Sequence, residues 1–208
     1  MADQTRDRIV DAAYRALVKR GYHETSMKDI AEEAGVALGL AHYYFETKED
    51  LLVAAIERGC APLLDELSRQ GIPLDAGMTP GLDAFEAARR GFELTKEELR
   101  RYRELHILVN DMFGVGLHNP KIGAAVRQFI TERRALVSVI ALAVIARMPR
   151  KPAASADAIA AAIWGAFHGI AVQKLIDPAF DADGAVDALA EIVFTFAAAG
   201  AAQETPRR

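Results

Sequence analysis

One cysteine, Cys60, is all that this 208-residue chain contains, so no disulfide can form within it and a reducing compartment suits it best. Aromatic residues are only 7%, with a single tryptophan, Trp164. Runs of β-branched residues are short and no pair of alternating segments reads as a hairpin, which argues against a sheet. The five histidines (His23, His42, His106, His118 and His168) fall in no metal-ligand spacing. No glycine-rich phosphate loop or nucleophile motif occurs, and Cys60 has no base near it in sequence. An enzyme is therefore not expected, and no cofactor or metal. Uncharged apolar stretches of membrane-spanning length are missing as well. The longest run, Ala135 to Ala146, is broken only by Ser138 and is too short for a bilayer. The start, MADQTRDRIVDAA, lacks the apolar core of a signal peptide. A cytoplasmic protein with no membrane partner is the expectation.

What remains is an alanine-rich, helix-forming chain with 51% hydrophobic residues, enough to bury a core. Ile9, Ala13 and Leu17 repeat at i, i+4, i+8 and give a first helix over about 5–19, closed by Arg20-Gly21. Ser26 and Asp29 form a capping box for a second helix, whose inner face is Met27, Ile30, Ala31 and Ala34. Gly35 is the turn glycine, and 37–44 is a short third helix closed by Phe45. Thr47 and Asp50 cap a fourth, which reaches about Arg69, and 71–79 reads as a loop. Beyond it, Thr79-Pro80 opens a helix, a further one spans about 96–113, and Asn119-Pro120 starts a long one to Arg147. Ser155 caps a helix to Ile176, and a last covers about 183–199. The fold class is all-α: a three-helix head at 1–47 with a helix-turn-helix, then a helical body at 48–208 for ligand binding and dimerisation.

The net charge of −4 speaks mildly against nucleic acid, and residues 1–50 hold seven Lys/Arg against ten Asp/Glu. Phosphate binding depends on local cations and not on the sum; weak non-specific binding that falls quickly with salt is expected. The segment from Gly21 to Leu52 resembles the DNA-binding head of the TetR family of bacterial regulators. The resemblance rests on Gly21-Tyr22, Thr25-Ser26, Asp29-Ile30-Ala31, Ala34-Gly35-Val36, Gly39, Tyr43-Tyr44-Phe45, Lys48 and Leu51-Leu52. Within that family, GLAHYYF and FHGIAVQKLIDP look most like the BetI-type branch. The resemblance implies that residues 37–44 are the recognition helix, with Leu38, Gly39, Leu40, His42, Tyr43 and Tyr44 at the duplex. It makes Thr25, Ser26, Lys28 and Lys48 part of the same surface, with Thr25, Lys28 and Lys48 as phosphate clamps. Leu38 and Leu40 depart from the commoner polar or cationic residues; leucine can only pack on a thymine methyl.

In the body, Phe85, Arg89, Phe92, His106, Asn110, Phe113, Phe129 and Arg133 set polar groups in apolar company, as an effector pocket needs. His106 and Asn110, at i and i+4, form the best polar pair, although core packing explains most of these residues equally well. The last two helices carry Trp164, Phe167, His168, Ala171, Ile192 and Phe196, an apolar surface that a second copy would cover in a four-helix contact. The expected function is a homodimeric, ligand-responsive repressor. It would leave a near-palindromic operator when a hydrophobic or amphipathic small molecule binds. The alternative is a ligand-independent DNA-binding architectural or division-control protein.

Overall fold

The structure is a computed structural model that describes residues 2–69, 83–148 and 150–199. All regular structure among them is helical: α1 (Ala2–Arg20), α2 (Met27–Ala34), α3 (Leu38–Tyr44), α4 (Lys48–Arg69), α5 (Ala84–Arg101), α6 (Arg103–Gly116), α7 (Pro120–Arg147), α8 (Ala156–Ile176) and α9 (Ala182–Ala199). The chain divides into two units, Met1–Asp65 with Tyr102–Phe129, and Glu66–Arg101 with Ile130–Arg208.

In the first unit, α1 packs on α2 and on α6. Its core holds Ile9, Leu17, Ile30, Leu51, Leu52, Leu108, Met112 and Ile122, all with 2% or less of their surface exposed. Each contributes roughly 1.5–3 kcal/mol by leaving water. In the second unit, α5, α8 and α9 pack on one another. One core there gathers Phe92, Leu99, Ile170, Ala171, Ala182 and Val186, and a smaller one gathers Ala84, Val144, Met148 and Ala197.

Helix starts follow the capping chemistry expected of them. Asp29 N–H donates to Ser26 Oγ while Ser26 N–H donates to the Asp29 carboxylate. Thr47 and Asp50 repeat the arrangement at α4. Ala158 N–H donates to Ser155 Oγ at α8. The expected helix over 96–113 is corrected: α5 ends at Arg101, Tyr102 leaves the helical region (φ −114°, ψ 38°), and α6 begins at Arg103. The physical reason is a change of core. Leu99 is buried with Phe92 and Ile170, whereas Leu105 is buried with the α1 residues. The expected start at Thr79-Pro80 lies outside the described residues; where α5 is described, Asp83 Oδ1 caps it by accepting from the Phe85 and Glu86 N–H groups.

Gly35 closes α2 in the left-handed region, φ +63°, and its N–H donates to Ala31 O and Glu32 O. A Cβ there would meet nothing within 4 Å, so the cost of substitution is that of backbone alone. Gly35→Ala is expected to lower stability by about 1 kcal/mol in a urea melt, because an L-residue pays roughly that in this region.

Candidate functional site

Residues 26–45 build a surface around α3. Ile30, Ala31 and Ala34 of α2, with Ala41 and Phe45, point inward and are buried. Because a helix turns about 100° per residue, burial of Ala41 fixes which side of α3 faces out. Gly39 and Tyr43 lie at the centre of that side, Leu38 and His42 on one flank, and Leu40 on the other. The exposures agree: Tyr43 80%, Leu38 42%, Leu40 40%, with His42 and Gly39 exposed. Tyr44 is half-buried and meets Tyr43 edge to face at 5.2 Å. Ser26 and Lys28 are also exposed, Lys28 with its ammonium 3.7 Å from Glu32.

Two residues expected at phosphates are held differently. Thr25 is 1% exposed, and its hydroxyl donates to Gly21 O at 2.8 Å, so it fastens the turn after α1 and cannot reach outward. Lys48 is half-buried; its ammonium donates to Tyr22 O at 2.7 Å and Thr25 O at 2.8 Å and sits 4.0 Å from the Tyr22 ring centre. Burial holds its pKa below the ordinary lysine value. Thr25 thus ties the α1–α2 turn back to α1, and Lys48 ties it to the start of α4.

A second set of polar groups, from α6 and the start of α7, reaches the same turn and the start of α4, and none of it was expected from the sequence. The Tyr22 N–H donates to Asp111 Oδ2 at 3.0 Å, and the Tyr22 hydroxyl to Glu49 at 2.9 Å. Burial, helped by that carboxylate, pushes the Tyr22 phenol up to about 12. Lys121 pairs with Asp50 at 2.7 Å and donates to Thr47 Oγ1. Asn119 caps α7 and also reaches Glu49. Asp111, Asn119 and Lys121 lie 70 or more residues from the groups they meet and leave no local sequence signal.

The expected effector residues fall in both units. His106, Asn110, Phe113 and Phe129 belong to the first, where Asn110 Nδ2 donates to the His106 backbone carbonyl and the two phenylalanines meet edge to face at 6.1 Å. Phe85, Arg89, Phe92 and Arg133 belong to the second. There Phe92 is core, edge-on to Phe167 at 5.5 Å, and Phe85 packs on the smaller core. Arg89 is exposed over the Phe194 ring, in an open groove of about 670 Å³ that Glu93, Glu97 and Arg100 also line. Glu98, also of α5, was not anticipated: burial pushes its carboxyl up to about 7, against the opposing pull of Arg133.

On α8 and α9, Ala171 is 2% exposed and Phe167 packs on the core of its own unit, so these two serve the fold. Trp164 and His168 are half-buried and stacked at 5.4 Å, and burial holds the His168 pKa below its ordinary value. Ile192 and Phe196 stand out at 66% and 57% exposed. By length and composition α8 is apolar enough to cross a membrane, with a mean hydropathy of 1.4, and little of it is buried. Its apolar surface exceeds what its own unit covers.

Residues 9–55 match the family model for "Bacterial regulatory proteins, tetR family". The HTH-type transcriptional regulator BetI of Agrobacterium fabrum (strain C58) is 42% identical over 67 residues, which is 32% of this chain and 31% of that protein. The first relatives matched are likewise covered over only about three tenths of their length. Among solved structures, a Saccharomonospora viridis protein in complex with choline has a TM-score of 0.69 at 22% identity, covering 92% of this chain and 96% of that one. The transcriptional regulator FadR of Bacillus subtilis, in complex with stearoyl-CoA, has a TM-score of 0.69 at 18% identity, covering 89% and 96%. At these identities the likeness is one of fold. Residues 9–55 thus match the TetR-family model, and nearly the whole length of this chain shares its helical architecture with these solved structures.

Proposed function

We propose that the protein is a cytoplasmic, homodimeric transcriptional repressor that sets α3 into the major groove of an operator and releases it when a small molecule binds the body. One observation carries the reading: α3 follows a capped α2 and a left-handed glycine turn, and exposes Leu38, Gly39, Leu40, His42 and Tyr43 along a single side. That is the posture in which a recognition helix meets base edges. Ser26, Lys28 and Tyr44 border it; Thr25 and Lys48 act as positioning residues behind it. We assign DNA binding to 1–47, and effector binding and pairing to 48–208.

Effector binding draws on a set within one unit: Arg89 and Arg133 with Phe85 and Phe92, or His106 and Asn110 with Phe113 and Phe129. Solved proteins of this fold include a transcriptional regulator in complex with choline and FadR of Bacillus subtilis in complex with stearoyl-CoA. An amphipathic ligand suits residues of both kinds. The test is selection of duplexes from a random-sequence library by the full chain, followed by electrophoretic shift. A selected near-palindromic sequence, bound at least a hundredfold more tightly than its scrambled version, supports the reading. Failure to enrich any sequence refutes it. Adding choline or a long-chain acyl-CoA to the preformed complex then probes release.

A further inference from the structure

Resting on the DNA-binding reading, we propose that α3 recognises thymine by its 5-methyl group, through Leu38 and Leu40, and that Gly39 is the point where its backbone enters the groove. The residues of α3, LGLAHYY, include no Lys, Arg, Asn or Gln, the side chains that pair bidentately with guanine or adenine. In their place, leucines 42% and 40% exposed flank the outward side. A leucine pressed on a base edge strips water from donors and acceptors and returns no hydrogen bond, which is unfavourable everywhere except at a methyl group. Thymine supplies the methyl in the major groove.

Gly39 provides the second observation. Its φ is not positive, and a Cβ would meet nothing within 4 Å. Alanine would fit and would favour the helix. Nothing among the described residues therefore requires glycine, at the centre of the outward side, between the two leucines. Its missing side chain leaves room for a surface outside the protein. A close backbone approach presses the flanking leucines onto the groove floor, where methyl contact counts.

The test uses the full chain and the duplex selected from the random library, resynthesised with deoxyuridine replacing each thymidine in turn. Each change removes one methyl and alters no hydrogen-bonding group. Affinity should fall about fourfold at one or two positions per half-site, the worth of one buried methyl. Leu38→Ala and Leu40→Ala, checked for unchanged melting temperature, should each erase the penalty at one of these positions. There, 5-methylcytosine paired with guanine should bind more tightly than cytosine paired with guanine. Gly39→Ala should melt at or above the parent temperature yet bind at least tenfold more weakly. Equal affinity for uracil and thymine duplexes, or a uracil penalty that survives both leucine substitutions, overturns the methyl readout. Full binding by Gly39→Ala overturns the close approach. Should no duplex be selected, the DNA-binding reading fails and this one with it.

Discussion

Glu98→Gln is expected to stabilise the protein at pH 8 by on the order of 2 kcal/mol and to leave it little changed at pH 5. Burial raises the Glu98 carboxyl from 4.5 to about 7. The folded chain therefore holds a proton there that the unfolded chain has released, and stability falls as pH rises from about 4.5 through 7. The gap corresponds to roughly 3 kcal/mol at about 1.4 kcal/mol per pH unit, and solvent reaching a half-buried side chain reduces it. Glutamine keeps the shape and has no charge to desolvate, though it gives up the attraction to Arg133. His168 has the opposite slope: its pKa is lowered by burial, so its contribution grows with pH up to its ordinary 6.5. The difference between wild-type and variant urea melts, taken from pH 5 to 8, isolates Glu98. Parallel curves across that range would refute the account.

The parts of this fold that were legible in the sequence are those governed by neighbours along the chain. Ser26 with Asp29, Thr47 with Asp50, and Gly35 at the α2 terminus each solve a local problem, the unpaired groups at a helix end. Their spacing records the solution. The exposed side of α3 was expected only through the resemblance; the burial of Ala41 and Phe45 then shows by helical periodicity that Gly39 and Tyr43 face out. The break at Tyr102 was not, since RRYRE contains no glycine or proline and the interruption comes from two cores competing for consecutive turns. Thr25 and Lys48 have the residue types of phosphate ligands, yet their donors are committed to backbone carbonyls of the turn that they hold. Asp111 grips that turn, and Asn119 and Lys121 the start of α4, from far along the chain, and only three-dimensional structure brings such partners together. Glu98 is one glutamate among many until its burial is known.

On the proposed pairing, the double substitution Ile192→Asp with Phe196→Asp should yield a monomer and lower affinity for the selected duplex by at least a hundredfold. The two side chains are one helical turn apart on α9 and are more than half exposed. Folding of the single chain gains little from them, so aspartates there should leave its helicity intact. On an unpaired surface two large apolar groups waste contact with water. On α8, Trp164 and His168 add a stacked aromatic pair that is still half open. Covering such a patch with its own copy is the symmetric solution, and it needs the same residues twice. Four aspartates brought together where apolar groups met would then oppose pairing, by desolvation and like-charge repulsion. The consequence for DNA is one of effective concentration. Two heads held at a fixed spacing bind the second half-site as an intramolecular step, and separate heads lose that gain of roughly 10²–10⁴. Sedimentation velocity and electrophoretic shift on the same preparation check both halves. A variant that remains dimeric would place the pairing surface elsewhere, and a monomeric variant that keeps full affinity would show that one head suffices.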